Sequence, residues 1–103
     1  MAKVKVGEYR EVPEGDMKKF TPKGIPIAVY KLSGQVYATS NICTYDGCFL
    51  DENHRMHGYM VECTLHNEQW DIRTGEVVNQ PATEKLKAYK AEVVDDDIYV
   101  DMI

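Results

Sequence analysis

The sequence predicts an all-β domain, built as a small sandwich or barrel. Three observations carry this. Apolar residues gather in short, β-prone runs, turn signals separate those runs at close spacing, and no window of eleven or more residues holds a helical stripe.

The elements follow in order along the chain. Residues 3–6 alternate weakly. Residues 17–21 form a second candidate strand, ended by Pro22-Lys23-Gly24. Residues 25–32 are strongly β-prone, and Ser33-Gly34 predicts a tight hairpin into a strand over 35–40. From residue 41 to 58 no period of two or 3.6 persists, and small, polar and charged residues dominate. In a compact β-domain this reads as a long functional loop. Strand character returns over 59–62 and 69–73, and Thr74-Gly75 turns the chain into 76–78. Pro81 interrupts, 87–94 resumes, and Asp95-Asp96-Asp97 turns into a last strand over 98–102. The best helical candidate, 83–90, is short and has a β-like tail.

A chain of 103 residues allows one domain, and 44% hydrophobic with 28% charged residues fits an ordinary folded one. Twelve Lys and Arg against seventeen Asp and Glu give a net charge of −5 with no basic stripe, which argues against nucleic acid. Acidity suits a partner with a basic docking face, and it also serves plain solubility. No run approaches the roughly 20 apolar residues of a membrane span, and residues 1–30 lack a signal-peptide core. The expectation is a cytoplasmic protein without a membrane partner.

Three cysteines, Cys43, Cys48 and Cys63, fall within 21 residues of one another. An odd count without an export signal points to metal or redox chemistry rather than a disulfide framework. Two loops carry the candidate ligands: Cys43-Thr44-Tyr45-Asp46-Gly47-Cys48 and Cys63-Thr64-Leu65-His66. Both follow a strand. Thiolates with imidazole select zinc or iron–sulfur centres. Spacing alone leaves two arrangements open: a Cys₃His zinc site of Cys43, Cys48, Cys63 and His66, or Cys43, Cys63 and His66 as three ligands of a [2Fe–2S] cluster.

The surrounding residues resemble a known family. Cys63-Thr-Leu-His66, then Trp70-Asp71, then Thr74-Gly75 is similar to the second cluster loop of Rieske-type [2Fe–2S] ferredoxins. The stretch 36–44 resembles the lead into that family's first loop. Leu50 matches an apolar position after it, Pro81-Ala82 the proline segment that covers the cluster, and 87–89 and 98–100 the closing strands. The resemblance implies a Rieske-like β-sandwich carrying a small cluster-binding subdomain over about 41–82. It also implies that Cys43 and Cys63 bind an inner iron and His66 an outer iron near the surface.

The chain departs from the family at one ligand. The first loop should read C-x-H, and here it reads Cys43-x-Tyr45, with seventeen residues between Tyr45 and Cys63 as the family requires. Tyr45 as a phenolate, Cys48 as a third thiolate, or His54 or His57 from the long loop each offer a replacement; a substituted variant, or a relative that has lost its cluster, is the remaining alternative. An anionic ligand adds charge. Two ferric ions, two sulfides and two thiolates sum to zero, so a phenolate gives −1 and lowers the potential from the Rieske range of roughly −150 to +300 mV. Cys48 has no disulfide partner in the second loop, where Leu65 stands at the position that would supply one. Trp70 and Phe49 are expected to exclude water from the cluster, Tyr59 to lie in the core, and Asp71 to hydrogen-bond near the turn. Thr44 and Thr64 offer hydroxyls to sulfur or to the loop backbone.

No nucleophile–base pair, carboxylate dyad or phosphate-cradling loop suggests catalysis by this chain alone. The resemblance implies a one-electron carrier between a reductase and a terminal oxygenase. The rivals are a zinc-stabilised binding module and a metal-free Rieske-like regulatory subunit, for example of a nitrite reductase.

Overall fold

One strand organises the molecule. In the computed structural model, which describes residues 3–44, 47–79 and 84–102, β3 (Ile27–Leu32) is buried along its first four residues. Ile27 and Val29 face one core, and Ala28 and Tyr30 face another. Side chains alternate across a strand, so an uninterrupted apolar run is what a strand covered on both faces requires.

β3 pairs antiparallel with β2 (Asp16–Phe20) and β4 (Gln35–Ser40), and β9 (Ala88–Tyr89) extends the sheet beyond β4. The β3–β4 hairpin turns at Ser33-Gly34, where φ is 54° and 79°, the left-handed pair that the strand twist favours. On one side lies a sheet of β1 (Lys3–Glu8), β11 (Asp97–Asp101) and β10 (Ala91–Val94). Between these two sheets Val12, Ile27, Val29, Val36, Ile98 and Val100 form an aliphatic core. Burying each such side chain contributes about 1.5–3 kcal/mol.

On the other side lies a meander of β5 (His54–His57), β6 (Met60–Cys63), β7 (Glu68–Asp71) and β8 (Val77–Asn79). Val61, Cys63 and Trp70 of this meander meet Ala28, Tyr30, Leu50, Ile72 and Leu86 in the second core. Tyr30 donates its hydroxyl proton to Thr39 Oγ1 at 2.8 Å, since Thr39 itself donates to the Ser40 carbonyl. Burial pushes the Tyr30 phenol up, against the pull of the Thr39 hydrogen bond.

The architecture agrees with the all-β expectation, and two local expectations are corrected. The stretch expected to be irregular to residue 58 contains β5, a polar edge strand whose exposed side chains hide its alternation from the sequence. The strand expected over 87–94 is two strands. The chain passes from the central sheet at β9 to the outer sheet at β10, and only Lys90 lies between them. The helical candidate over 83–90 is not a helix in its described part, 84–90, which instead enters β9. Pro81-Ala82 and Tyr45 lie outside the described residues.

Gly75 shows why the Thr-Gly turn needs glycine. Its φ is 82°, and a Cβ there would collide with the Leu86 carbonyl. The close approach lets the Leu86 amide donate to the Gly75 carbonyl at 2.8 Å, which draws 84–86 against the meander.

Candidate metal centre

Two loops bring the cysteines together, and each is closed by its own hydrogen bonds. The first runs from the end of β4. Asn41 is fully buried; its Nδ2 donates to Asp51 Oδ1 at 2.7 Å, and its Oδ1 accepts from the Asp51 amide at 3.0 Å. The Leu50 amide donates to the Asn41 carbonyl at 2.8 Å, so donor and acceptor of one side-chain amide and one carbonyl close the loop base. Above this clamp Ile42 and Phe49 bridge, the Cys43 amide donates to the Cys48 carbonyl at 2.8 Å, and the Gly47 amide donates to the Cys43 carbonyl at 3.0 Å.

The second loop joins β6 to β7, with Cys63 and Glu68 paired at its base. Asn67 takes the left-handed conformation at φ 63°, which asparagine tolerates, and its amide donates to the Cys63 carbonyl at 2.8 Å. The Thr64 amide donates to the Asn53 carbonyl at 3.0 Å and ties the two loops together.

The three sulfurs converge: their Sγ atoms lie within 4.8 Å of one another, with Cys43 and Cys63 buried and Cys48 half-buried. Cys48 Sγ is 2.9 Å from Cys63 Sγ, well beyond a disulfide bond of about 2.05 Å. His66 is not in this close group; its side chain is 45% exposed beside Leu65, and its Nδ1 lies 3.7 Å from Glu68 Oε2. The Glu68 carboxylate is fully buried, and neither of its oxygens has a hydrogen-bond partner among the described residues. A buried, unbonded carboxylate is costly unless a cation meets it. With three converging thiols and an imidazole at the rim, the donor set fits an iron–sulfur centre.

His54 and His57 do not join the cysteines. His54 Nε2 bonds Asp16 Oδ1 at 2.6 Å, and His57 Nε2 bonds Glu62 Oε1 at 2.7 Å. Hydrogen bonds from Gln69 and His57 hold the Glu62 carboxyl below its usual range.

Trp70 is fully buried against the cysteines, and its Nε1 donates to the Glu84 carbonyl at 2.9 Å. Thr44 Oγ1 donates to the same carbonyl at 2.8 Å, which settles its hydroxyl on backbone rather than sulfur. Phe49 corrects the sequence expectation: it is 48% exposed and does not seal the site. It points outward with Ile42 and Leu65, so the two loops present apolar side chains to solvent. Tyr59 is only partly buried; it packs edge-on to Tyr37 at 5.8 Å and under the Arg73 guanidinium at 4.2 Å. Asp71 closes the Thr-Gly turn as expected, accepting from the Arg73 amide and guanidinium, each at 2.8 Å, while its carbonyl accepts from the Gly75 amide at 2.7 Å. The Arg73 hydrogen bond holds the Asp71 carboxyl below its usual range.

Sequence reasoning missed Glu68. It falls just outside the strand expected over 69–73, and only its pairing opposite Cys63 together with its full burial reveals that it faces inward. No helix among the described residues is long and apolar enough to cross a membrane.

Comparison with known proteins gives the same picture. The family described as Rieske [2Fe–2S] domain matches residues 2–90. The ferredoxin component of the naphthalene 1,2-dioxygenase system of Pseudomonas aeruginosa is 32% identical over 92 residues, covering 89% of this chain and 88% of the relative. The ferredoxin of carbazole 1,9a-dioxygenase from Nocardioides aromaticivorans IC177 superposes with a TM-score of 0.90 at 28% identity, covering 97% of each chain. A chain in the complex of reduced oxygenase and oxidized ferredoxin in carbazole 1,9a-dioxygenase matches with a TM-score of 0.87 at 29% identity, over 95% of this chain and 91% of that one. The cysteine-bearing loops, the three-sheet fold and these matches agree, and the chain belongs to the Rieske [2Fe–2S] domain family.

Proposed function

We propose that the chain is the electron carrier of a multicomponent dioxygenase-type system, taking single electrons from a reductase and passing them to a terminal oxygenase. The observation that carries this is the half-exposed His66, three residues after the buried Cys63, on a loop whose Leu65 faces outward, as do Ile42 and Phe49 of the first loop. The matches to dioxygenase ferredoxin components along most of their length support the same reading.

In this reading Cys43 and Cys63 hold the inner iron and His66 holds the outer one. When bound, the cluster supplies a one-electron couple. The chain's own residues do the rest. Trp70, Leu50 and Val61 keep water from the cysteines, which lowers the local dielectric and tunes the potential. His66, half-exposed, offers a route from the buried sulfurs to the surface. Ile42, Phe49 and Leu65 give a partner apolar surface to cover, and the net charge of −5 favours a basic docking face. The clustered thiols, none in a disulfide, suit a reducing, cytoplasmic setting.

The test is anaerobic purification, with iron, zinc and acid-labile sulfide measured per chain. Equal iron and sulfide in [2Fe–2S] stoichiometry are expected, together with reduction by a flavin reductase and re-oxidation by an oxygenase. Zinc without sulfide would replace electron transfer with a scaffold role.

A further inference from the structure

We propose that Glu68 is a cluster ligand, its carboxylate sharing the outer iron with His66 where the family's pattern calls for a first-loop histidine. This rests on the reading that Cys43, Cys63 and His66 hold a [2Fe–2S] cluster.

The β6–β7 hairpin carries two buried carboxylates, and the fold treats them differently. Glu62 is met by His57 Nε2 at 2.7 Å, Gln69 Nε2 at 3.1 Å and Arg55 Nη1 at 3.8 Å. Glu68 is buried more completely, yet neither oxygen has a hydrogen-bond partner among the described residues. Among the described residues the cationic group beside it is the His66 imidazole, 3.7 Å away and charged only when protonated, so a neutral imidazole leaves the carboxylate to a metal cation.

The position of that cation follows from two neighbours. Glu68 Oε2 lies 3.7 Å from His66 Nδ1, too far for a hydrogen bond. It is close to the spacing of two ligand atoms on one tetrahedral metal, about 3.3 Å for bonds of about 2.0–2.1 Å. Glu68 also stands directly opposite Cys63 across the ladder, so both side chains leave the same face of the hairpin. A thiolate at one end of a two-iron core and a carboxylate at the other can therefore arise from one ladder pair.

Among the described residues, the competing ligands have other neighbours. Cys48 Sγ is 2.9 Å from Cys63 Sγ, on the cysteine side of the site. His54 and His57 bond Asp16 and Glu62. The charge follows by addition: two ferric ions, two sulfides and two thiolates sum to zero, and the carboxylate makes the oxidised core −1. Such a core resists reduction more than one with two neutral imidazoles.

The experiment reconstitutes the full chain anaerobically with iron and sulfide and compares it with Glu68→Gln, Glu68→His and Tyr45→Phe. Circular dichroism confirms that each variant is folded before loading. Pulsed electron paramagnetic resonance of the reduced protein counts coupled histidine nitrogens. The unsubstituted chain should show one and Glu68→His two, the latter with a raised potential. Glu68→Gln should shift the g values and lose its cluster roughly tenfold faster or more. Tyr45→Phe should leave the spectrum unchanged. Two nitrogens in the unsubstituted chain, or a spectrum that ignores Glu68→Gln and moves with Tyr45→Phe, would overturn the assignment while leaving the cluster reading intact. A folded chain that takes up no sulfide would overturn both.

Discussion

The two faces of the central sheet bury different chemistry. Toward β10 and β11 the core is aliphatic: valine, isoleucine, one alanine and one methionine, with no thiol among its buried members. Toward β6 and β7 the core includes two cysteines and a tryptophan, and the buried Glu68 lies next to it on the same hairpin. The first face adds apolar burial to its strand ladders, with no metal-binding side chain among its buried members. The second spends part of its interior on groups whose stability depends on what they bind, so its packing and its function cannot be separated.

Substitutions sharpen this contrast. The largest effect is expected from Cys63→Ser, which should abolish bound iron and acid-labile sulfide while moving the metal-free protein's unfolding midpoint only slightly. A metal-free chain that fails to fold would mean that the second core depends on this sulfur for packing. Ile98→Ala should do the reverse: it should cost about 2–5 kcal/mol in denaturant unfolding, equally with and without the cluster, because the cavity opens in the aliphatic core. Trp70→Phe should fall between them. It removes the hydrogen bond to the Glu84 carbonyl and costs about 1–2 kcal/mol, read as unfolding free energy together with faster cluster loss in air.

The smallest effect is a pH dependence. Arg73 holds the Asp71 carboxyl below its usual range, so the unfolded chain binds this proton at a higher pH than the folded one. The contribution is present above the unfolded pKa of about 3.9 and is lost as pH falls through the depressed folded value. Asp71→Asn should flatten the acid limb of the stability curve, by less than about 1 kcal/mol because Arg73 is half exposed. Identical acid limbs would show that the pair contributes nothing.

Much of the architecture was legible because its signals are local. Ser33-Gly34 announced the β3–β4 hairpin, and the β-prone run over 25–32 announced a strand, whose burial on both faces only the structure shows. Cys43, Cys48, Cys63 and His66 stood out by residue type and spacing, and the fold brings the three sulfurs together. What stayed hidden depends on distant partners. β5 is polar and shows as a strand only beside β6, and the sheet change at Lys90 is set by which neighbours β9 and β10 meet. Phe49 was expected to keep water from the cluster because it is large and apolar, yet it is bridged to Ile42 and half exposed. Glu68 was passed over because burial of a carboxylate follows from register, not from residue type.

The double burial of β3 has a consequence for how this chain can change length over evolution. Deleting or inserting one residue within Ile27–Leu32 would exchange the faces of every side chain beyond it, sending Tyr30 into the aliphatic layer and valine toward the sulfurs. No compensating substitution on one side could repair both. Length variation is therefore confined to segments that serve a single face or none, such as the stretch between β4 and β5, and relatives should align without gaps across β3 however far their sequences drift.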